Sequence, residues 1–332
     1  MARTRHFDIL NQPIVTLLLT FGVLLGCGTV RAHIAPFATE QTEGVLSPVG
    51  LWLDSLLGPY FGFAVVLGAI LLASVILTRI INRYSLSLVR SFMPMVLFMI
   101  CILGVVFPAK SPALMLALLM LTQANDLMFI SFKRHTTFGQ LMSASFWTAL
   151  AALLVPEMVY LLLLLPVQWF IWQRSPREMI AAAIMTPLPM LLGSCIYWFA
   201  GKPFGWLMEE WSKVLPSVEV VNFAEMYALS GGVINCVLWG AVVLLTLVSI
   251  LVFMGGYGAM RTRARKGHIF FSLLYLMCCV MFLLGGTPTV VVPLVGFAAV
   301  PLIHTFFVRR KGVVSAIIYI IMVSLTLATS LL

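Results

Sequence analysis

The chain has 332 residues, 62% apolar and only 9% charged, with a mean hydropathy of +1.09. A soluble domain is about 45–50% apolar and about 25% charged, so a water-soluble globular fold is excluded, and disorder, collagen and coiled coil fall with it. The net charge of +9 sits in short clusters between apolar runs, a pattern that membrane topology explains and nucleic-acid binding does not.

A bilayer crossing needs about 20 apolar residues. In chain order the runs are 13–30, 60–77, 92–107 and 113–130. The next run, 141–172, is too long for one crossing and holds Pro156 and Glu157 near its middle. A proline beside a carboxylate suits a turn at the membrane surface better than a bilayer centre. We therefore divide it into 141–155 and 158–172. The remaining runs are 179–199, 232–254, 269–284, 290–308 and 313–331. The expected fold is an all-α polytopic helix bundle of one domain with about eleven spans.

Orientation follows from Lys and Arg. With the N-terminus inside and the C-terminus outside, sixteen of the 20 cations fall on the inner side and four, Arg31, Lys110, Lys202 and Lys213, on the outer. Merging 141–172 into one span would send Arg174, Arg177 and the later clusters outward and destroy the asymmetry. The basic Met1–His6 and the apolar stretch behind it also resemble a signal peptide, whose removal would leave ten spans. The length of the run and Arg31 favour an uncleaved first span. The expected location is the cytoplasmic (inner) membrane.

Two outer connections carry amphipathic segments. In SPVGLWLDSLLG, Ser47 and Pro48 form a helix start; Trp52, Leu53, Leu56 and Leu57 should line one side, with Asp54 near its edge. In FGWLMEEWSKVL, Phe204, Leu207, Trp211 and Leu215 recur at helical spacing while Glu209, Glu210 and Lys213 face away. Both read as short interfacial helices on the outer surface.

Polar residues inside or beside spans are the candidates for chemistry, because the bilayer makes them costly. Asp126, near the inner end of the fourth span, could relay protons or hold a cation, or pair with Lys133 or Arg134. Glu157 could serve as an acid or base at the outer hairpin tip, or only mark the turn. Glu40 and Glu43 in the first outer connection could do acid–base work. Arg174 and Arg177, and the denser cluster Arg261, Arg263, Arg265 and Lys266, could bind a lipid phosphate, or simply fix topology. Ser175, Pro176 and Glu178 suit another helix start. Gly255, Gly256 and Gly258 read as a flexible helix exit, and Pro187 and Pro189 as a kink that could wall a cavity. The six cysteines lie in apolar runs without a metal or redox spacing, and neither metal nor cofactor is expected. Walker, H-E-x-x-H, G-x-S-x-G and dinucleotide-binding patterns are absent.

The stretch FGQLMSASFWTALAALLVPEMVYLLLLLPVQWFIWQRSPREMIAAAIMTPLPMLLGSCIYWF resembles a family of multi-spanning Bacteroidetes-type inner-membrane proteins classed as a domain of unknown function. The similarity rests on the small-residue run Ala144–Leu154, the apolar stretch Pro156–Trp172, Arg177-Glu178-Met179 and Thr186-Pro187. It continues through Val291-Val292-Pro293 to Arg310-Lys311. Family members carry Trp where this chain has Met179. In outline the chain is also similar to multi-spanning glycosyltransferases that use polyprenyl-phosphate sugars, whose first outer loop bears a surface helix and acidic residues. Glu40, Glu43 and Asp54 occupy that region, without the consecutive acidic pair typical of the loop. The resemblance implies envelope assembly on a lipid-linked substrate, with membrane lipids or a polyprenyl-phosphate-linked molecule as partner. A non-enzymatic membrane subunit and a small-solute transporter are the alternatives, the last using Asp126 and the kinked seventh span.

Overall fold

The computed structural model describes residues 12–34, 44–87, 89–104, 111–132, 137–215, 233–309 and 313–331. Among these residues the protein is helical with no strand. The helices are α1 (Pro13–Ile34), α2 (Pro48–Arg83), α3 (Met93–Met99) with a π-helical extension Ile100–Gly104, α4 (Pro112–Ser131) and α5 (Phe138–Leu154). A 3₁₀ helix (Pro156–Leu163) leads into α6 (Leu164–Ile171). Then come α7 (Pro176–Met185), α8 (Leu188–Phe199), α9 (Trp206–Lys213), α10 (Val233–Gly255), α11 (Thr262–Leu283), α12 (Pro288–Arg309) and α13 (Val313–Leu331).

Among the described residues, six segments are long and apolar enough to cross a membrane: Phe61–Arg83, Pro112–Ser131, Pro176–Phe199, Val233–Gly255, Thr262–Leu283 and Pro288–Arg309. Five shorter apolar helices, of 10–17 residues, occupy the other expected runs. This pattern fits a membrane protein. Large apolar side chains also face outward, among them Phe170, Ile184, Ile196, Phe199 and Leu251, which water would penalise and hydrocarbon would not.

The core is built around α12. Nearly all of this helix is buried, enclosed by α3 and its π extension, α10 and α11. A helix apolar on every side belongs in such a position. A second group, α2, α4, α5 and α7, packs through α2 against α4, α4 against α5 and α5 against α7.

Local sequence explains many boundaries. Ser47, Ser111 and Ser175 each accept a hydrogen bond from the first turn of the helix they precede, and proline follows each one. Ser175 and Glu178 form a reciprocal capping box. The expected break in 141–172 is present: Val155 turns to extended geometry and Pro156 opens the 3₁₀ helix. Gly58, with φ +62°, divides α2 into the expected short helix and a long apolar one.

One orientation differs from expectation. In the first half of α2, Asp54 is buried, while Trp52 and Leu56 are well exposed. The carboxylate turns inward because Oδ1 accepts the Ala113 N–H at the start of α4, at 2.8 Å. The apolar side chains are left facing the surroundings.

Candidate functional site

Three carboxylates close the starts of helices distant in sequence. Asp54 serves α4. Glu178 accepts the Thr137 N–H at 3.0 Å and its hydroxyl at 2.8 Å, which closes the start of α5. Glu157 accepts the Thr287 N–H on both carboxylate oxygens at 3.1 Å, and the Thr287 hydroxyl on Oε1, just before α12. Glu157 was expected at an exposed hairpin tip; it is 1% exposed. The helix start it serves is half-buried, and N–H groups shielded from water must find acceptors. Negative charge at that end is also favoured by the helix dipole.

The candidate bases Glu40 and Glu43 lie outside the described residues, as do Lys133 and Arg134. Asp126 is buried in α4 with Oδ1 lacking a hydrogen-bond partner among the described residues. The positive charges acting on it come from Arg79 and Arg83 of α2.

The expected phosphate-binding cations have different partners, although Lys266 lies near enough to Arg174 to feel its charge. Arg174 donates to the Thr137 hydroxyl at 3.0 Å, beside Glu178. Burial holds the Arg174 guanidinium below its ordinary pKa, and the nearby Glu178 opposes that shift. Arg177 is exposed at the start of α7. Arg265 lies over the Tyr257 ring at 5.3 Å, and Lys266 over Phe132 at 5.5 Å. Arg261 and Arg263 line a cleft of ≈ 370 Å³ between the end of α2 and the start of α11. Arg83 of α2 joins them there, a residue counted only as an inner-side charge in the sequence.

Two buried histidines fix the turn that forms one wall of this cleft. His268 Nε2 lies 2.9 Å from the Leu86 carbonyl and 3.3 Å from the Thr305 hydroxyl. A carbonyl only accepts, so Nε2 carries the proton and Nδ1 is a lone pair with no partner among the described residues. His304 Nε2 sits 3.4 Å from the Ser91 hydroxyl, and Asn82 binds both the N–H and the C=O of Ser91. These contacts tie Leu86 to α11 and Ser91 to α12. A histidine within an apolar run was the signal for this network, which the sequence reading passed over.

A second cavity, an open groove of ≈ 510 Å³, is almost wholly apolar. It lies between α5, the 3₁₀ helix, α6, the break from α7 to α8, and α9. Ala149, Ala152 and Ala183 make its walls, and Thr186 and Pro187 place the helix break along it. The hydroxyl of Thr186 is satisfied by the Ala182 carbonyl. Met208 and Trp211 of α9 reach in from one side, and the Trp211 indole N–H donates to the Ala152 carbonyl at 3.0 Å. A third space, ≈ 20 Å³, adjoins Asn125 and Gln168, which are hydrogen-bonded at 3.1 Å; it has room for about one water.

No family model matches the chain, and neither a curated protein nor a solved structure matches it.

Proposed function

We propose that the chain is a multi-pass protein of the cytoplasmic membrane, with eleven spans and the N-terminus inside, and that it acts on a lipid-linked substrate in envelope assembly. The observation that carries this reading is the apolar groove beside the α7–α8 break. In a bilayer such a groove suits the hydrocarbon chain of a lipid, since its lining is almost wholly apolar; the Trp169 indole N–H, which has no hydrogen-bond partner among the described residues, is the polar exception. Glycosyl transfer at the outer face is the reaction class implied by the resemblance. Within this reading Glu40 and Glu43 carry the base, because Glu157 is committed to the start of α12. Transport has less support, as Asp126 lines none of the three cavities described above.

The test is native mass spectrometry of the protein extracted from membranes. The wild type is expected to carry a co-purified long-chain lipid, and Ala183→Phe, which fills the groove wall from an exposed position, is expected to lose it. An unchanged lipid complement in the variant sinks the reading. Reporter fusions after Trp172 and after Val308 should both report the cell interior; an exterior signal at either overturns the topology.

A further inference from the structure

We propose that the cleft between the end of α2 and the start of α11 is a binding site for a phosphomonoester. The cleft shares no lining residue with the apolar groove, so this inference stands or falls separately from the lipid-chain reading.

Three arginines, Arg83 from α2, Arg261 at the cap of α11 and Arg263 from its first turn, line one space of ≈ 370 Å³. All three residues are exposed. None has a carboxylate within ion-pair distance among the described residues, where the ion pairs are those of Lys213 with Glu209 and Glu210. Asp126, the carboxylate that feels Arg83, does not line the cleft; like charges gathered in one space repel one another, and an anion placed between them removes that cost. A phosphate fits this donor set best. It carries close to two negative charges and presents several oxygens, and the planar arginine fork matches it in bidentate fashion.

The backbone adds to the same field. The start of α11 has Arg261 at its cap position with no side-chain hydrogen bond, and no acid lies in its first turn. Its free N–H groups therefore remain available to an anion, together with the positive end of the helix dipole. Thr262, the first residue of α11, also lines the cleft and supplies a hydroxyl. On the opposite wall Ser85 holds φ at +52°, a left-handed conformation that costs a non-glycine residue energy and that recurs at ligand sites. The His268 bond to Leu86 holds that strained turn against α11.

The cations are also held in place before a ligand arrives. Arg263 lies 5.0 Å from the Phe132 ring centroid and Arg83 lies 5.9 Å from that of Tyr84. Such stacking limits the freedom of a long side chain and reduces the entropy lost on binding. The cleft is open to the surroundings and has room for more than a bare phosphate, so a phosphate carrying a further group can enter it. A lipid headgroup and a soluble phosphomonoester present this same chemistry.

The test uses the full-length protein in detergent. Binding of dioleoyl phosphatidate and of dioleoyl phosphatidylcholine is measured by native mass spectrometry, with glycerol 3-phosphate as competitor. The wild type should prefer phosphatidate by tenfold or more, and the preference should weaken as salt rises. Exchanging Arg83, Arg261 and Arg263 together for Gln should weaken phosphatidate binding by about 100-fold, since charge-assisted hydrogen bonds are the strong ones. The triple Lys variant, which keeps charge but loses the fork, should fall between. Arg90→Gln, an exposed cation outside the cleft, should behave as wild type. Competition by glycerol 3-phosphate at similar affinity supports the site with a soluble ligand; phosphatidate binding without competition supports it with a lipid. Equal binding of the two lipids by the wild type, or undiminished phosphatidate binding by the triple Gln variant, overturns the proposal.

Discussion

The starts of α12 and α11 present the same chemical problem and solve it differently. Each opens a long apolar helix and leaves N–H groups without helical partners. At α12 the chain supplies the anion itself: Glu157 is buried against Thr287 and takes both its donors. At α11 no side chain caps the helix, and arginines gather instead of acids. The difference follows burial. The α12 start is half-buried and lies against the fully buried Glu157, so an unmet N–H there would cost free energy. The α11 start is exposed and can exchange water for a ligand. One end is structural and saturated; the other is open to binding.

That contrast breaks most readily at Glu157. Glu157→Ala leaves the half-buried Thr287 N–H and hydroxyl without their acceptor, each costing about 1–3 kcal/mol. The expected loss of stability is about 3 kcal/mol by denaturant titration in micelles. Glu157→Gln keeps one acceptor oxygen and should lose less than half of that. A loss below about 1 kcal/mol for Glu157→Ala would mean that the carboxylate is not what closes α12, and its role as an acid or base would reopen.

The contrast is sharpened at a helix end where a cation, not an anion, is consumed internally. Arg309, at the end of α12, donates to the Val252 carbonyl near the end of α10 at 3.3 Å. Its guanidinium lies where a Cβ on Gly256 would be, so Gly256 leaves the space that the cation fills. Positive charge at a helix C-terminus is favoured by the dipole. Gly256→Ala forces the guanidinium out and should cost about 1–3 kcal/mol, as overpacking does. Gly258→Ala, with nothing within 4 Å, is the reference. In the Arg309→Ala background the cost of Gly256→Ala should largely vanish, because the two changes share one contact. Additive costs would show that the glycine matters for backbone freedom alone.

How much of this was legible in the sequence depended on how far each partner lay along the chain. Ser47-Pro48 and Ser175-Pro176-Glu178 announce helix starts within four residues, and both are seen. The Pro156 break and the Thr186-Pro187 kink are likewise local, since proline removes a donor and blocks the preceding turn. Glu157 and Asp54 were visible as polar residues but not as caps, because their partners lie 130 and 59 positions away. Glu178 was read correctly in its local box, yet its second partner, Thr137, stands 41 residues earlier. The basic cleft was half legible: the cluster at Arg261 to Lys266 stands out by density, whereas Arg83 joins it only through the packing of the chain. Charge density marks a region, and only tertiary contact decides which of its cations converge.

The smallest effect tests whether closing a helix start requires a full charge. Asp54 closes α4 as Glu157 closes α12, accepting the Ala113 N–H on one oxygen, with a further bond to the Ser111 side chain. Burial raises the Asp54 pKa above its ordinary 3.8, although the bonds from Ala113 and Ser111 oppose the shift. The folded protein therefore holds this proton more tightly than the unfolded chain. Its contribution to stability is complete below pH 3.8 and is lost as pH climbs through the raised value. Asp54→Asn keeps an acceptor for Ala113 and has no proton to lose. It should flatten this part of the stability–pH profile and, at neutral pH, match or exceed the wild type by less than about 1 kcal/mol. A variant less stable than the wild type at neutral pH but equal to it below pH 3.8 would show that the charge itself closes α4, in which case burial does not dominate at that start and the division between saturated and open helix ends must be drawn from charge alone.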